Sequence, residues 1–198
     1  MRTPAILALT VLLTACTASS DDVGAVGEDD TNGRVAEGVA VCPDNLVLDV
    51  DDFPEQALPQ TTDYAEFHQL NGERDGVETT ASGMQYTVVQ AGLENGLTPA
   101  PGEEVFANYH GFRTDGTVFD SSYTRGQPFI TPTNRVIRGW TESLEGMKVC
   151  EARTIYLPAE LAYGQRGAGA DIRPGDSLVF HMQLLRVNRE GDPVGIDD

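Results

Sequence analysis

Residues 105–122 read VFANYHGFRTDGTVFDSS, and the fold turns on this stretch. Val105, Ala107 and Tyr109 alternate with Phe106, Asn108 and His110, the period of two that marks a strand with unlike surroundings on its two faces. Asp115-Gly116 is a hairpin signal, because a tight reversal needs residues that tolerate positive φ, and Val118-Phe119 begins the return. Outward from this hairpin the text stays short and alternating. Met84, Tyr86 and Val88 interleave with Gln85, Thr87 and Val89, and the runs Ala152–Leu157 and Leu178–Leu185 read as further strands. One clear helix is expected, with Ile137, Trp140 and Leu144 at i, i+3 and i+7 and Gly146 ending it. The pattern predicts an α+β domain: an antiparallel sheet of about five strands wrapped around one short helix.

Charge divides the chain. Of 198 residues, 31 are acidic and 13 basic, a formal net charge of −18. Residues 1–82 hold 16 acids and three bases, while residues 83–198 hold 15 and ten. Nucleic acid is excluded as a partner, because phosphate binding depends on clustered Lys and Arg. Adsorption to anionic lipid through charge is excluded for the same reason.

The N-terminus reads as an address followed by an anchor. Met1 to Ala15 carries one basic residue, Arg2, an apolar run from Ala5 to Leu13, and then small residues, as a signal peptide does. The run is far short of the ~20 residues of a spanning helix. Leu13-Thr14-Ala15-Cys16 resembles the bacterial lipobox. That resemblance implies cleavage before Cys16, a diacylglycerol on its sulfur and acylation of its amine. The plainer alternative is an ordinary signal peptide with a chance Cys at its end. Two or more acyl chains hold a soluble domain stably on a membrane, where one does not. Thr17 stands where an Asp would favour the inner membrane in Gram-negative lipoproteins, so the expected location is the outer membrane, facing the periplasm or the cell surface.

Residues 16–45 are Asp, Glu, Gly, Ala, Ser and Thr with scattered Val and no aromatic, the composition of a flexible tether. Asp29-Asp30-Thr31-Asn32-Gly33 lacks the alternating ligands and closing Glu of a calcium loop. Residues 46–75 form an extension. Leu46, Val47, Leu48, Val50 and Phe53 suffice for a short strand or a docked segment, and Tyr64, Phe67, His68 and Asn71 at i, i+3, i+4 and i+7 suggest two helical turns. The compact domain is expected over residues 76–198.

No covalent or metal chemistry is legible. His68, His110 and His181 lie far apart with no His or Cys at ligand spacing, and nucleophile-elbow and phosphate-loop motifs are missing. On half-buried strands, His110 and His181 read as outward or hydrogen-bonded residues. No cofactor and no metal is expected. What stands out is a set of aromatics close to turns, each of which by itself reads as core: Tyr109, Phe119, Phe129, Trp140, Tyr163 and Phe180.

As an ordered set these residues resemble a family. Val105 to Gly111, Asp115 to Ser122, Gln127-Pro128-Phe129, Val136-Ile137-Arg138-Gly139-Trp140, Gly146-Met147-Lys148-Val149, Leu157 to Gly164 and Leu178-Val179-Phe180 are similar to the FKBP-type peptidyl-prolyl cis/trans isomerases, over about residues 76–187. The approach from Gly76 to Tyr86 is similar to the macrophage infectivity potentiator subgroup. The long dimerisation helix of that subgroup has no counterpart in residues 17–75, which implies a monomer.

The resemblance implies an FKBP-like half-barrel whose pocket is lined by Tyr109, Phe119, Asp120, Phe129, Val136, Ile137, Trp140, Tyr163, Ile172 and Phe180. In it Trp140 would floor the proline site, and the Tyr163 hydroxyl and Ile137 N–H would bond carbonyls flanking the proline. Asp120, held by Arg125, would face the isomerising amide. Proline-containing polypeptides are the implied substrates, and macrolide immunosuppressants are implied ligands. Two departures bear on substrate preference: Arg135 replaces an acidic residue before the Val-Ile pair, and the loop before the last strand holds Ala168, Asp171 and Ile172. The reading from another class is a non-catalytic chaperone or binding module that uses the same pocket for apolar, Pro-containing segments.

With Cys16 acylated, Cys42 and Cys150 remain as an even pair in an oxidising compartment. Cys150 lies at a turn where related sequences carry Gly. A Cys42–Cys150 disulfide is the expectation, and two free thiols are the alternative.

Overall fold

The computed structural model describes residues 38–189. The expected signal peptide, Cys16 and the acidic run that follows it lie outside the described residues. Among those described, no helix is long and apolar enough to cross a membrane.

Among the described residues, seven strands form one antiparallel sheet: β1 (Glu78–Thr79), β2 (Gln85–Gln90), β3 (Glu104–Arg113), β4 (Val118–Ser121), β5 (Phe129–Pro132), β6 (Ala152–Leu157) and β7 (Leu178–Asn188). Their order is β1-β2-β6-β7-β3-β4, with β5 also on β3. The α+β half-barrel is as expected, and the strand count exceeds the expected five. The additional strands, β1 and β5, are two and four residues long, too short to show a period in sequence. The expected hairpin joins β3 to β4: Gly116 takes φ 84°, and the Asp115 carboxylate accepts from the Thr117 N–H at 2.9 Å.

The expected helix is α3 (Arg138–Leu144). Gly139 is what lets it lie against β6, since a Cβ there would sit 2.3 Å from Leu157 Cδ2. Trp140 and Leu144 point from α3 into a core shared with Val105, Ala107, Ile155, Leu178 and Met182. The described residues hold two more α-helices, α1 (Tyr64–Gly72) and α2 (Ser122–Arg125). The former answers the weak i, i+3, i+4, i+7 signal. Its N-terminus is capped by the Asp63 carboxylate, which accepts from the Ala65 and Glu66 N–H groups at 2.8 and 3.1 Å.

The extension is docked on the opposite face of the sheet, where Phe67 and Leu58 pack with Phe112, Tyr156 and Val179 as a second core. It contains no strand. Residues 44–52 form two 3-10 turns instead, and β7 and β2 satisfy their backbone through side chains. Gln183 accepts from the Leu48 N–H at 2.8 Å and donates to the Leu46 carbonyl at 2.8 Å, and Gln90 donates to the same carbonyl at 3.0 Å. Farther along, Gln85 joins the Asn71 side chain at 2.9 Å to the His68 carbonyl at 2.7 Å, holding α1 on the sheet.

The tether boundary expected at residue 45 falls earlier. Pairing between β6 and β7 stops at Gln183, leaving one edge of Leu185–Val187 open, and the chain from Ala40 to Cys42 takes it. Cys42 N–H donates to the Leu185 carbonyl at 2.7 Å and Val187 N–H to the Ala40 carbonyl at 2.9 Å. An open edge is a row of unpaired backbone groups, so a nearby extended segment closes it irrespective of side-chain polarity. At the same place Cys42 and Cys150 meet with Cα atoms 5.0 Å apart, inside the span a disulfide requires. Cys150 is the one described non-glycine residue in the left-handed region, at φ 72°.

Candidate functional site

The site grows from β3. Its alternation turns Val105, Ala107 and Tyr109 to the α3 side, and β4 pairs with it so that Asp120 stands opposite Gly111. Phe180 of β7 is the partner of Gly111 on the other side. Gly111 is required here: a Cβ would lie 2.8 Å from both Phe119 Cζ and Phe180 Cε1. With no side chain in the way, these rings meet edge to face at 5.5 Å. From below, α3 raises Trp140, whose ring meets Tyr109, Phe180 and Phe129 edge-on at 4.9, 5.4 and 6.0 Å. Mutual edge-to-face packing holds each ring by its neighbours and so defines the shape of the cavity.

The result is a cleft of about 420 Å³. Nine of the residues expected to line it do so: Tyr109, Phe119, Asp120, Phe129, Val136, Ile137, Trp140, Tyr163 and Phe180. Ile172 does not. Ala168 and Ile172 exchange backbone hydrogen bonds of 2.9 and 3.1 Å, closing their loop on itself, and the Ile172 side chain is buried in the main core. Gly167 permits that closure, since a Cβ at its φ of 66° would lie 2.4 Å from the Ile172 carbonyl oxygen. Arg135, noted in sequence only as a departure, is the tenth lining residue. Its place directly before Val136 and Ile137 was the available signal.

Polar groups are few and sharply placed. Tyr109, itself buried, donates its hydroxyl hydrogen to Asp120 Oδ2. One guanidinium nitrogen of Arg125 pairs with Asp120 Oδ1, and the other donates to the Tyr109 hydroxyl at 2.8 Å. Burial and the bond to Asp120 push the Tyr109 hydroxyl up to about 12, so it stays a donor throughout the physiological range. Burial alone would raise Asp120, but hydrogen bonds from Tyr109 and Arg125 and the Arg125 charge hold it below the usual carboxylate range. The carboxylate is therefore ionised and fixed in direction.

The Tyr163 hydroxyl and the Ile137 amide are uncommitted donors at the cleft. The Tyr163 side chain is 39% exposed, and its hydroxyl has no hydrogen-bond partner among the described residues; burial, then the Asp120 charge, raises its pKa. Ile137 is the N-cap of α3, and its carbonyl accepts from Trp140 at 2.9 Å and Thr141 at 3.1 Å, while its own N–H is unused among the described residues. Trp140 Nε1 is buried and unpartnered. Among the described residues, no group of three or more His, Cys, Asp or Glu side chains is placed to hold a metal ion. An aromatic box with one oriented carboxylate and free hydrogen-bond donors can bind a small apolar ring and the amides beside it.

A model of the FKBP-type peptidyl-prolyl cis-trans isomerase family matches residues 96–185. The crystal structure of a peptidyl-prolyl cis-trans isomerase from Pseudomonas syringae pv. tomato superposes with a TM-score of 0.59 at 32% identity, over 63% of this chain and 90% of that one. The chain belongs to the FKBP-type peptidyl-prolyl cis-trans isomerase family. This FKBP-type chain is also 45% identical over 124 residues to the peptidyl-prolyl cis-trans isomerase Mip of Coxiella burnetii, covering 63% of this chain and 53% of that protein. With the outer membrane protein MIP of Legionella longbeachae it shares 37% identity over 123 residues, covering 62% and 52%. The chain thus spans about half the length of these curated relatives. The expected family and fold are borne out.

Proposed function

We propose that this FKBP-type chain catalyses rotation about X–Pro bonds in exported polypeptides. The observation that carries the reading is the Asp120 carboxylate, held by Arg125 and Tyr109 at the wall of an aromatic cleft where Tyr163 and the Ile137 amide are free donors. An X–Pro bond resists rotation by ~18–20 kcal/mol because resonance stabilises the planar amide. Resonance places negative charge on the carbonyl oxygen, which water solvates well. In the cleft that oxygen would meet aromatic walls and the Asp120 carboxylate, which oppose negative charge on it. The twisted amide carries less of that charge, so the environment favours it over either planar form. Tyr163 and Ile137 would hold the flanking carbonyls while Trp140 supports the proline ring. No bond is made to the protein, and none of these residues need change protonation state.

Uncatalysed X–Pro isomerisation takes tens to hundreds of seconds, long enough to limit folding, and catalysis needs no nucleotide. Both suit an export compartment. A protease-coupled assay on a proline peptide tests the reading. Turnover supports it; peptide binding without turnover hands the case to the chaperone or binding-module reading.

We further infer an anchor. The lipobox at Cys16 supports export and acylation, and the similarity to a relative named as an outer membrane protein supports placement of the domain on the outer membrane. Membrane-bound wild type and a soluble Cys16→Ala variant would support this; equal partition would refute it. Macrolide immunosuppressants would enter the same cleft and compete with peptide.

A further inference from the structure

We propose that Arg135 makes the cleft select proline sites with an acidic residue adjacent to the proline. The inference rests on the isomerase reading and names which of its substrates are favoured. Two charged side chains line the cleft, Asp120 and Arg135. Asp120 is already committed to Arg125 and Tyr109. Arg135 is exposed and has no ion pair, hydrogen bond or ring contact from its side chain among the described residues. The charge left over at the cleft is thus positive, on a chain whose net charge is −18.

Position makes that charge readable by a substrate. Arg135 ends a 3-10 turn, Thr133–Arg135, two residues before Ile137. Two residues span at most about 7 Å of chain, so the guanidinium is rooted beside the amide that would hold a substrate carbonyl. A side chain next to the proline is within its reach.

The turn is itself held in place. Thr133 N–H donates to the Glu103 carbonyl at 3.0 Å, the Thr133 hydroxyl to Glu145 at 3.0 Å, and the Thr141 hydroxyl to the Thr133 carbonyl at 2.7 Å. Glu145 is engaged there, and Glu142 accepts from Ser82, so the acids of α3 and its C-cap have partners other than Arg135. A substrate carboxylate would be the counter-ion that the fold omits. Elsewhere the acidic chain repels such substrates, so removing Arg135 should reverse the preference as well as weaken it.

The test compares peptides that differ only beside the proline, carrying Glu, Leu or Lys before it or Glu after it, at low and high salt. The expected kcat/KM for the better Glu peptide exceeds that for Lys by about two- to fivefold, the range of an exposed ion pair, and the ratio shrinks in salt. Arg135→Gln should bring the ratio to one or below, and Arg135→Glu should invert it. A ratio unchanged by both substitutions overturns the inference while leaving the isomerase reading intact. If wild type turns over no peptide, the isomerase reading fails separately. The preference is then decided by Kd values for the same peptides, read from the fluorescence of Trp140, the single Trp of the chain. Equal Kd for Glu and Lys peptides would overturn it there.

Discussion

The Tyr109 hydroxyl, at the foot of the cleft, donates to the Asp120 carboxylate at its wall. The bond joins β3 to β4 across the hairpin and aims an ionised oxygen at the space a substrate amide would fill. Replacing Asp120 by Ala should therefore lower kcat/KM by about tenfold or more, roughly 1.4 kcal/mol or more of transition-state stabilisation, with an unchanged circular dichroism spectrum. Equal activity would show that the carboxylate does not act on the amide. Tyr109→Phe keeps the ring and removes the donor, and should cost about 1 kcal/mol of stability together with part of the activity.

His181 should set the acid limit of the fold. It is 8% exposed, stacks on Phe53 at 4.6 Å and shares a 2.8 Å hydrogen bond with the Thr154 hydroxyl. Burial, with His110 adding repulsion, pushes its pKa down to about 4 from an ordinary 6.5. The unfolded chain takes up the proton near 6.5 and the folded chain resists until about 4. Stability should thus be full above pH 6.5, fall by on the order of 3 kcal/mol as pH drops toward 4, and level off below. Thermal melts from pH 8 to 4 measure this, and His181→Gln should flatten the slope. An unaltered slope in that variant would assign the acid sensitivity elsewhere.

Cys42 and Cys150 should be disulfide-bonded in exported protein. Intact mass should rise by two hydrogens on reduction, and alkylation of the unreduced chain should leave both residues unlabelled. The bond would span 108 residues and fasten the Ala40–Cys42 segment, so Cys42→Ala should cost about 2–4 kcal/mol. In that background Cys150→Gly should recover about 1 kcal/mol, because φ 72° suits Gly better than any residue with a Cβ. Labelling of both thiols before reduction would refute the cross-link.

The docked extension should govern stability and leave the chemistry alone. Phe67 is fully buried between α1 and the sheet, opposite the cleft. Phe67→Ala should cost about 3–5 kcal/mol in denaturant unfolding while kcat/KM per folded molecule holds. A proportionate loss of kcat/KM would mean that the extension shapes the cleft.

The sequence by itself determined the α+β class, the β3–β4 hairpin, α3 and nearly the whole aromatic lining. Each of these rests on local signals: a period of two, a turn dipeptide, a period near 3.6, and motifs whose order is kept along the chain. Only the tertiary structure decided the rest. Ile172 left the cleft because its loop pairs with Ala168, and Arg135 entered it because a 3-10 turn held by Thr133 directs it there. The segment from Ala40 to Cys42, expected as tether, joined the compact body because an open strand edge takes a nearby extended backbone. The strands β1 and β5 exist because longer neighbours offer them hydrogen bonds. Such outcomes depend on which distant groups lie opposite one another, and no window of sequence contains both partners.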